Sequence, residues 1–339
     1  MPPYRIGVLG GATLLGKELG DLIGERRFPA LPPRLFALPV RSKTNGAEHP
    51  ARKAITGSLL QYGDEAAVLE EFSPDNLQGL DVLFLAASAA EVASAWSITA
   101  GAVPLIVDLS GALRDEPEAV VVGFDPDIPS GTRLIAVAHP AAQALAAMLE
   151  RLQRVGVFDA AVASIFEPAS QRGWPGIQEL EQQTVKVLGM QPLPTSVFGA
   201  QIAFNLRASL GPAVRPALSD IESSIRADLS RLGTAAAAIR VLQAPWFHAA
   251  VLSLWVRYRA SVPEDAVRAS LASPHLTRPE AGSDADVLAA AGMDTVLIGE
   301  PVADDAGGFW IFAALDNLHR VAAAALDAAE AALAATRRD

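Results

Sequence analysis

The first sixteen residues restrict the fold more than any other stretch of the chain. Residues 4–9, YRIGVL, are a short run of mostly apolar, branched side chains, ended at once by Gly10 and Gly11. Beyond them Leu15, Leu19, Leu22 and Ile23 recur at helical spacing and share one helix face. Strand, glycine turn and helix in that order open a dinucleotide-binding βαβ unit. Residues 35–38, 82–87 and 105–108 read as further parallel strands, with helical character over 91–100. Strands alternating with helices predict an α/β fold: a Rossmann-type, doubly wound parallel sheet with right-handed connections.

After about residue 135 the texture changes. Helical patterns over 143–153, 176–188 and 220–232 are interleaved with β-rich runs at 251–258, 295–298 and 309–315, and an Ala-rich amphipathic helix spans 318–335. Regular alternation is lost, so the second part reads as α+β. A chain of 339 residues suits two domains: 1–135 together with a returning C-terminal helix (318–336), and 136–317. The hydrophobic content, 51%, supplies a core for each. A net charge of −11 argues against nucleic-acid binding, whose footprint is basic. Neither a basic leader with an apolar run nor an uncharged apolar stretch of about 18 residues occurs, which predicts a cytoplasmic protein with no membrane association. The chain has no cysteine, which excludes disulfides, thiolate metal sites and any cysteine nucleophile; no metal site is expected.

The loop Gly10, Gly11, Ala12, Thr13, Leu14, Leu15 and Gly16 is where a pyrophosphate would sit. Glycine there tightens the turn, lets the backbone approach phosphate and packs the helix closely on its strand. Arg41 and Ser42 follow the second strand, and an arginine fork suits a phosphate monoester.

Read with GGATLLG (10–16), the segments VDLSGALR (107–114), HPAAQ (139–143), GWPGIQELEQQT (173–184), FGAQIAFN (198–205), QAPWF (243–247) and LDNLHR (315–320) follow one order over nearly the whole length. In that set and order the chain resembles the aspartate-semialdehyde dehydrogenase family, and within it the Usg-like branch. The resemblance implies an N-terminal nucleotide-binding domain, a C-terminal α+β catalytic and dimerisation domain, and a homodimer. It also implies the family reaction, reduction of an aspartyl phosphate by NADPH through a cysteine thioester.

Position by position, the resemblance implies a changed site. The family's middle loop glycine is Thr13, so NADP binding is expected to be weakened by a clash or backbone strain there. Arg41 and Ser42 match the group holding the NADP 2′-phosphate, and Asn317, beside Asp316, matches the asparagine at the nicotinamide end. A later asparagine slot is Ala325. Asp316 and Asn317 also suit plain helix N-capping. Ser110, Gly111 and Arg114, following Asp108, correspond to the anion site, with Arg114 meeting phosphate. The nucleophile slot falls on Ala142, or on Ala141 with a shorter turn, and a methyl group cannot attack a carbonyl. Glu167 replaces the family glutamine, where a carboxylate would repel an anionic substrate. Gln243 replaces the substrate arginine, and Ala250 the general-base histidine. His248, two residues before it, reads as a packed or surface histidine; Glu222, His49, His275 and His319 carry no signal.

These readings predict a family member inactive in the cysteine reaction that keeps some nucleotide or small-anion binding. The alternative is an NADP-dependent semialdehyde or acyl-phosphate oxidoreductase using a non-cysteine route, for which His248 or His139 would be the general acid.

Overall fold

A computed structural model describes residues 3–38, 57–62, 65–99, 101–234, 237–280 and 283–336. Arg41, Ser42 and His49 lie outside the described residues. The chain divides into two compact units, Met1–Ala138 with Val321–Asp339, and His139–Arg320.

In the first unit the strands are β1 (Ile6–Leu9), β2 (Arg34–Ala37), β3 (Leu59–Tyr62), β4 (Glu65–Glu71), β5 (Val82–Leu85), β6 (Leu105–Asp108), β7 (Ala119–Val122) and β8 (Leu134–Val137). They form one sheet in the order β3-β4-β2-β1-β5-β6-β8-β7, parallel throughout except for the antiparallel β3–β4 pair. Val82 and Phe84 face one side of the sheet, where helix α1 (Leu14–Glu25) packs; Leu83 and Leu85 face the other, with α2 (Ala89–Thr99). Burial on both faces is why these strands read as unbroken apolar runs rather than alternating ones. Residues 321–332 of the last helix also pack on the α1 side, where alanine after alanine lets it approach closely.

The second unit holds β9 (Phe158–Glu167), β10 (Ala238–Gln243), β11 (Ala250–Tyr258), β12 (Leu276–Thr277), β13 (Val296–Ile298), β14 (Val302–Ala303) and β15 (Gly308–Leu315). Their order is β10-β9-β11-β15-β13-β12, with β14 paired to β15. The helices are α3 (Pro140–Gln153), α4 (Gly173–Leu188), α5 (Leu218–Arg231), α6 (Glu264–Ser270) and α7 (Asn317–Thr336), the last continuing into the first unit. Sheet residues alternate. Ala163, Ile165, Leu254, Val256 and Ile311 are buried, while Val162, Trp310 and Phe312 on the other face are exposed.

Candidate functional site

In the first unit β1, β5 and β6 are neighbours, so the loops leaving their carboxyl ends lie side by side, where an open parallel sheet takes ligands. The β1–α1 loop is shaped by two glycines. Gly10 has φ +87°, and a β-carbon on Gly16 would lie 2.2 Å from the Gly10 carbonyl oxygen. Thr13 corrects the expected strain. Its φ is −73°, an ordinary extended value, and it caps α1: Oγ1 accepts from Gly16 N at 2.9 Å and donates to Ala86 O at 2.8 Å. The threonine therefore takes the Gly16 N–H for itself, while the N–H groups of Leu14 and Leu15 have no acceptor within the helix. Those two N–H groups are the donors this loop offers a diphosphate.

After β6, Asp108 is fully buried, with Oδ1 accepting from Ser110 N and Oγ and Oδ2 from Leu113 N. Burial pushes its carboxyl above the usual range against the pull of those donors. Gly111 has φ +68°, and Arg114 lies across it, donating Nε–H to its carbonyl at 2.7 Å. Ser110, Gly111 and Arg114 thus form one rigid turn that presents a half-buried guanidinium.

The second unit carries a buried polar array. His139 is the N-cap of α3, with Pro140 at the first helical position. Its backbone N–H donates to Asp228 on α5 at 2.8 Å, and Nδ1 accepts from Ala141 N at 3.2 Å. Nε2 lies 3.0 Å from Glu167 Oε1, at ion-pair distance though not aligned as a hydrogen bond. Glu167 is thus a buried carboxylate facing an imidazole. Ala141 and Ala142 are fully buried methyl groups in the first turn of α3.

His248 is half-buried and lies between two polar partners. Nε2 lies 2.8 Å from Asp316 Oδ2 and Nδ1 lies 3.3 Å from Ser170 Oγ. Asp316 accepts further N–H groups from Gly292, Leu318 and His319. Burial alone would raise its carboxyl, but the His248 hydrogen bond and those backbone donors outweigh it and hold it at about 2. Asp316 therefore caps α7 as expected and also orients an imidazole, which was not expected. Asn317 is buried and bridges Ser170 Oγ (3.2 Å) and Gln171 (3.0 Å), and Gln171 lies 3.3 Å from His139 Nε2. Arg172, held by a donation to Pro216 O, is drawn below its usual range by burial and raised again by nearby Glu167.

Gln243 is not a ligand-facing group. It is fully buried, and its Nε2 donates to Glu167 O and Ala244 O. Ala250 is a buried residue of β11, and Ala325 packs in the core of the first unit. Glu222 and His319 are structural: Glu222 meets Arg240 and Val241 N, and His319 meets Asp294. Ser170, Gln171 and Arg172 escaped the sequence reading. Ser170 lies 78 residues from His248, and His248 lies 68 from Asp316, so no spacing signals them.

Residues 5–126 match the family described as semialdehyde dehydrogenase, NAD binding domain, which defines the first unit as a nucleotide-binding dehydrogenase domain. The chain is 30% identical over 264 residues to the USG-1 protein homolog of Pseudomonas aeruginosa, covering 74% of this chain and 73% of that one. It is 26% identical over 331 residues to the USG-1 protein homolog of Azotobacter vinelandii, covering 94% of each. A probable aspartate-semialdehyde dehydrogenase from Pseudomonas aeruginosa shares the fold with a TM-score of 0.82 at 24% identity, covering 97% of this chain and 98% of that one. This chain belongs to the aspartate-semialdehyde dehydrogenase family, in its Usg-like branch. Among the described residues no helix is long and apolar enough to cross a membrane.

Proposed function

We propose that this family member retains NADP and small-anion recognition, and does not carry out the thioester reaction. The observation that carries this reading is the pair of buried methyl groups, Ala141 and Ala142, in the first turn of α3, in a chain without a single cysteine. NADPH supplies a hydride where it binds. Here Gly10–Gly16 would hold its diphosphate, and Ser110 and Arg114 would meet an anion. Thr13 reduces the donors available to the diphosphate, so binding is expected to be weak. NADPH at millimolar concentration should raise the melting temperature, because a ligand bound only by the folded state stabilises it. An unchanged melting temperature would mean that the loop is purely structural.

Incubated with aspartate semialdehyde, NADP and phosphate, the protein should produce no reduced-cofactor absorbance. Ala142→Cys should be equally silent, since the companion slots hold Glu167 and Ala250. Turnover by the unmodified protein would instead favour the oxidoreductase without a covalent adduct, with His139 or His248 as general acid. His248 is hydrogen-bonded to a carboxylate and His139 lies 3.0 Å from one, which is the observation in that reading's favour.

The same reading includes a homodimer. The open face of the second unit's sheet carries Val162, Trp310 and Phe312, each at least 40% exposed and adjacent on paired strands β9, β11 and β15 with Trp255 between. Apolar area of this kind favours covering by a second copy. Sedimentation equilibrium should give twice the chain mass, and Trp310→Glu with Phe312→Glu should give the monomer.

A further inference from the structure

The second unit holds a polar array that runs from Asp316 through His248, Ser170, Asn317 and Gln171 to His139. Its hydrogen bonds fix the roles of each group. Asp316, saturated with donors, is ionised and can only accept, so the proton between it and His248 belongs to His248 Nε2. A neutral imidazole then has its lone pair on Nδ1, facing Ser170 Oγ at 3.3 Å. At the far end His139 Nδ1 accepts from Ala141 N, so His139 Nε2 carries the proton; Glu167 Oε1, 3.0 Å away, is not aligned with it, and the acceptor is needed where Gln171 stands. As placed, Ser170 Oγ donates to Asn317 Oδ1 and Asn317 Nδ2 to Gln171 Oε1, which leaves two N–H groups facing each other at Gln171 and His139; turning both amides by half a turn removes that conflict. Gln171 Oε1 then receives from His139, Gln171 donates to Asn317 Oδ1, and Asn317 Nδ2 donates to Ser170 Oγ. The Ser170 hydroxyl proton is left for a single acceptor, His248 Nδ1.

We propose that Ser170, His248 and Asp316 are a nucleophilic triad for acyl transfer from small activated esters. The constellation has a nucleophile facing the lone pair of a base, and a base oriented by a buried carboxylate, which are the geometric roles that define such a triad. It uses the two imidazole nitrogens in the opposite sense to the serine proteases, and either nitrogen can serve. The spacing of 3.3 Å is a little long, as is common before substrate binds.

The surroundings narrow the substrate. The N–H groups of Ala169, Ser170 and Gln171 donate to the carbonyls of Trp246, Phe247 and Pro168, and that of Gly173 to Ser170 O. Those backbone donors are not available to a developing oxyanion, which confines the reaction to esters with a good leaving group and excludes amides. Ser170 itself is only 2% exposed and the His248 side chain beside it about one-third, which limits the reaction to a small acyl group. In the reaction Ser170 Oγ bonds to the acyl carbon as its proton passes to His248 Nδ1. The carbon–oxygen bond to the alcohol breaks, and the alcohol takes that proton. Water then gives a proton to His248 and its oxygen to the acyl carbon, and the return of the proton to Oγ frees the carboxylic acid.

The test treats the full chain with a fluorophosphonate, which phosphonylates only activated serines, followed by peptide mass spectrometry. One adduct is expected, on Ser170, absent in Ser170→Ala and formed at least ~100-fold more slowly in His248→Gln. Hydrolysis of p-nitrophenyl acetate should fall by the same factor in both variants. No adduct in the unmodified protein, or one on another residue, would overturn the proposal, and so would ester hydrolysis undiminished in Ser170→Ala. None of these readouts involves NADP, so the triad and the nucleotide site stand or fall separately.

Discussion

Gly16→Ala is expected to lower the stability of the nucleotide-binding unit by about 2–3 kcal/mol, although alanine is the better helix former by about 1 kcal/mol. Propensity loses because the added β-carbon would lie 2.2 Å from the Gly10 carbonyl oxygen, a backbone atom that cannot swing aside. Gly10 in turn is pinned by its hydrogen bond to Phe36 O and by φ +87°. The turn between β1 and α1 must therefore open, which also moves the Leu14 and Leu15 N–H groups and removes any NADPH-dependent rise in melting temperature. Gly24 on the same helix is the control. A β-carbon there meets nothing within 4 Å, so Gly24→Ala should stabilise slightly. Urea denaturation of the two variants side by side decides the matter. If both shift the midpoint in the same direction, the close approach does not govern this turn.

Asp316→Ala should have the larger effect, about 3–5 kcal/mol, because it strands several partners at once. The imidazole of His248 and the N–H groups of Gly292, Leu318 and His319 all lose their acceptor, and α7 loses its cap. The effect carries a pH signature. The carboxyl is held at about 2 against an ordinary 3.8, so the folded state resists protonation more than the unfolded chain does. A depressed folded value stabilises fully above about pH 4, and that stabilisation is lost as pH falls from about 4 towards 2. The share at stake is about 2 kcal/mol from a shift of this size. Unfolding at pH 7 and pH 3 should therefore show the gap between the native protein and Asp316→Ala narrowing in acid. A gap of constant size would mean that the carboxylate does not carry its charge into the fold.

Much of the first unit is legible in the residues themselves. Strands β1, β5 and β6 are runs buried on both faces, and α1 announces itself by its leucine spacing and its glycines, because local sterics and periodic burial act on neighbours in the chain. The short edge strands β3 and β7 leave no such mark, because their side chains are partly exposed. Thr13 shows the limit of a pattern match. The family slot predicted strain, whereas the hydroxyl found both a donor and an acceptor and became the helix cap.

The second unit is where the sequence reading ran short. Spacing reads His248 as a packed or surface histidine, and the family resemblance places Gln243 in the slot of the substrate arginine; the fold gives the first two polar partners and buries the second. Gln243 sits buried on β10 beside β9, with its Nε2 donating to the Glu167 and Ala244 carbonyls. His248 became an oriented imidazole because residues from three distant segments meet around it. The sequence alone settled that no thiol exists, that a glycine turn follows the first strand, and that apolar runs alternate with helices. Only the tertiary structure decided which polar side chains share a proton. A hydrogen bond spans about 3 Å of space but 68 or 78 residues of chain, and no periodicity in a string records that distance.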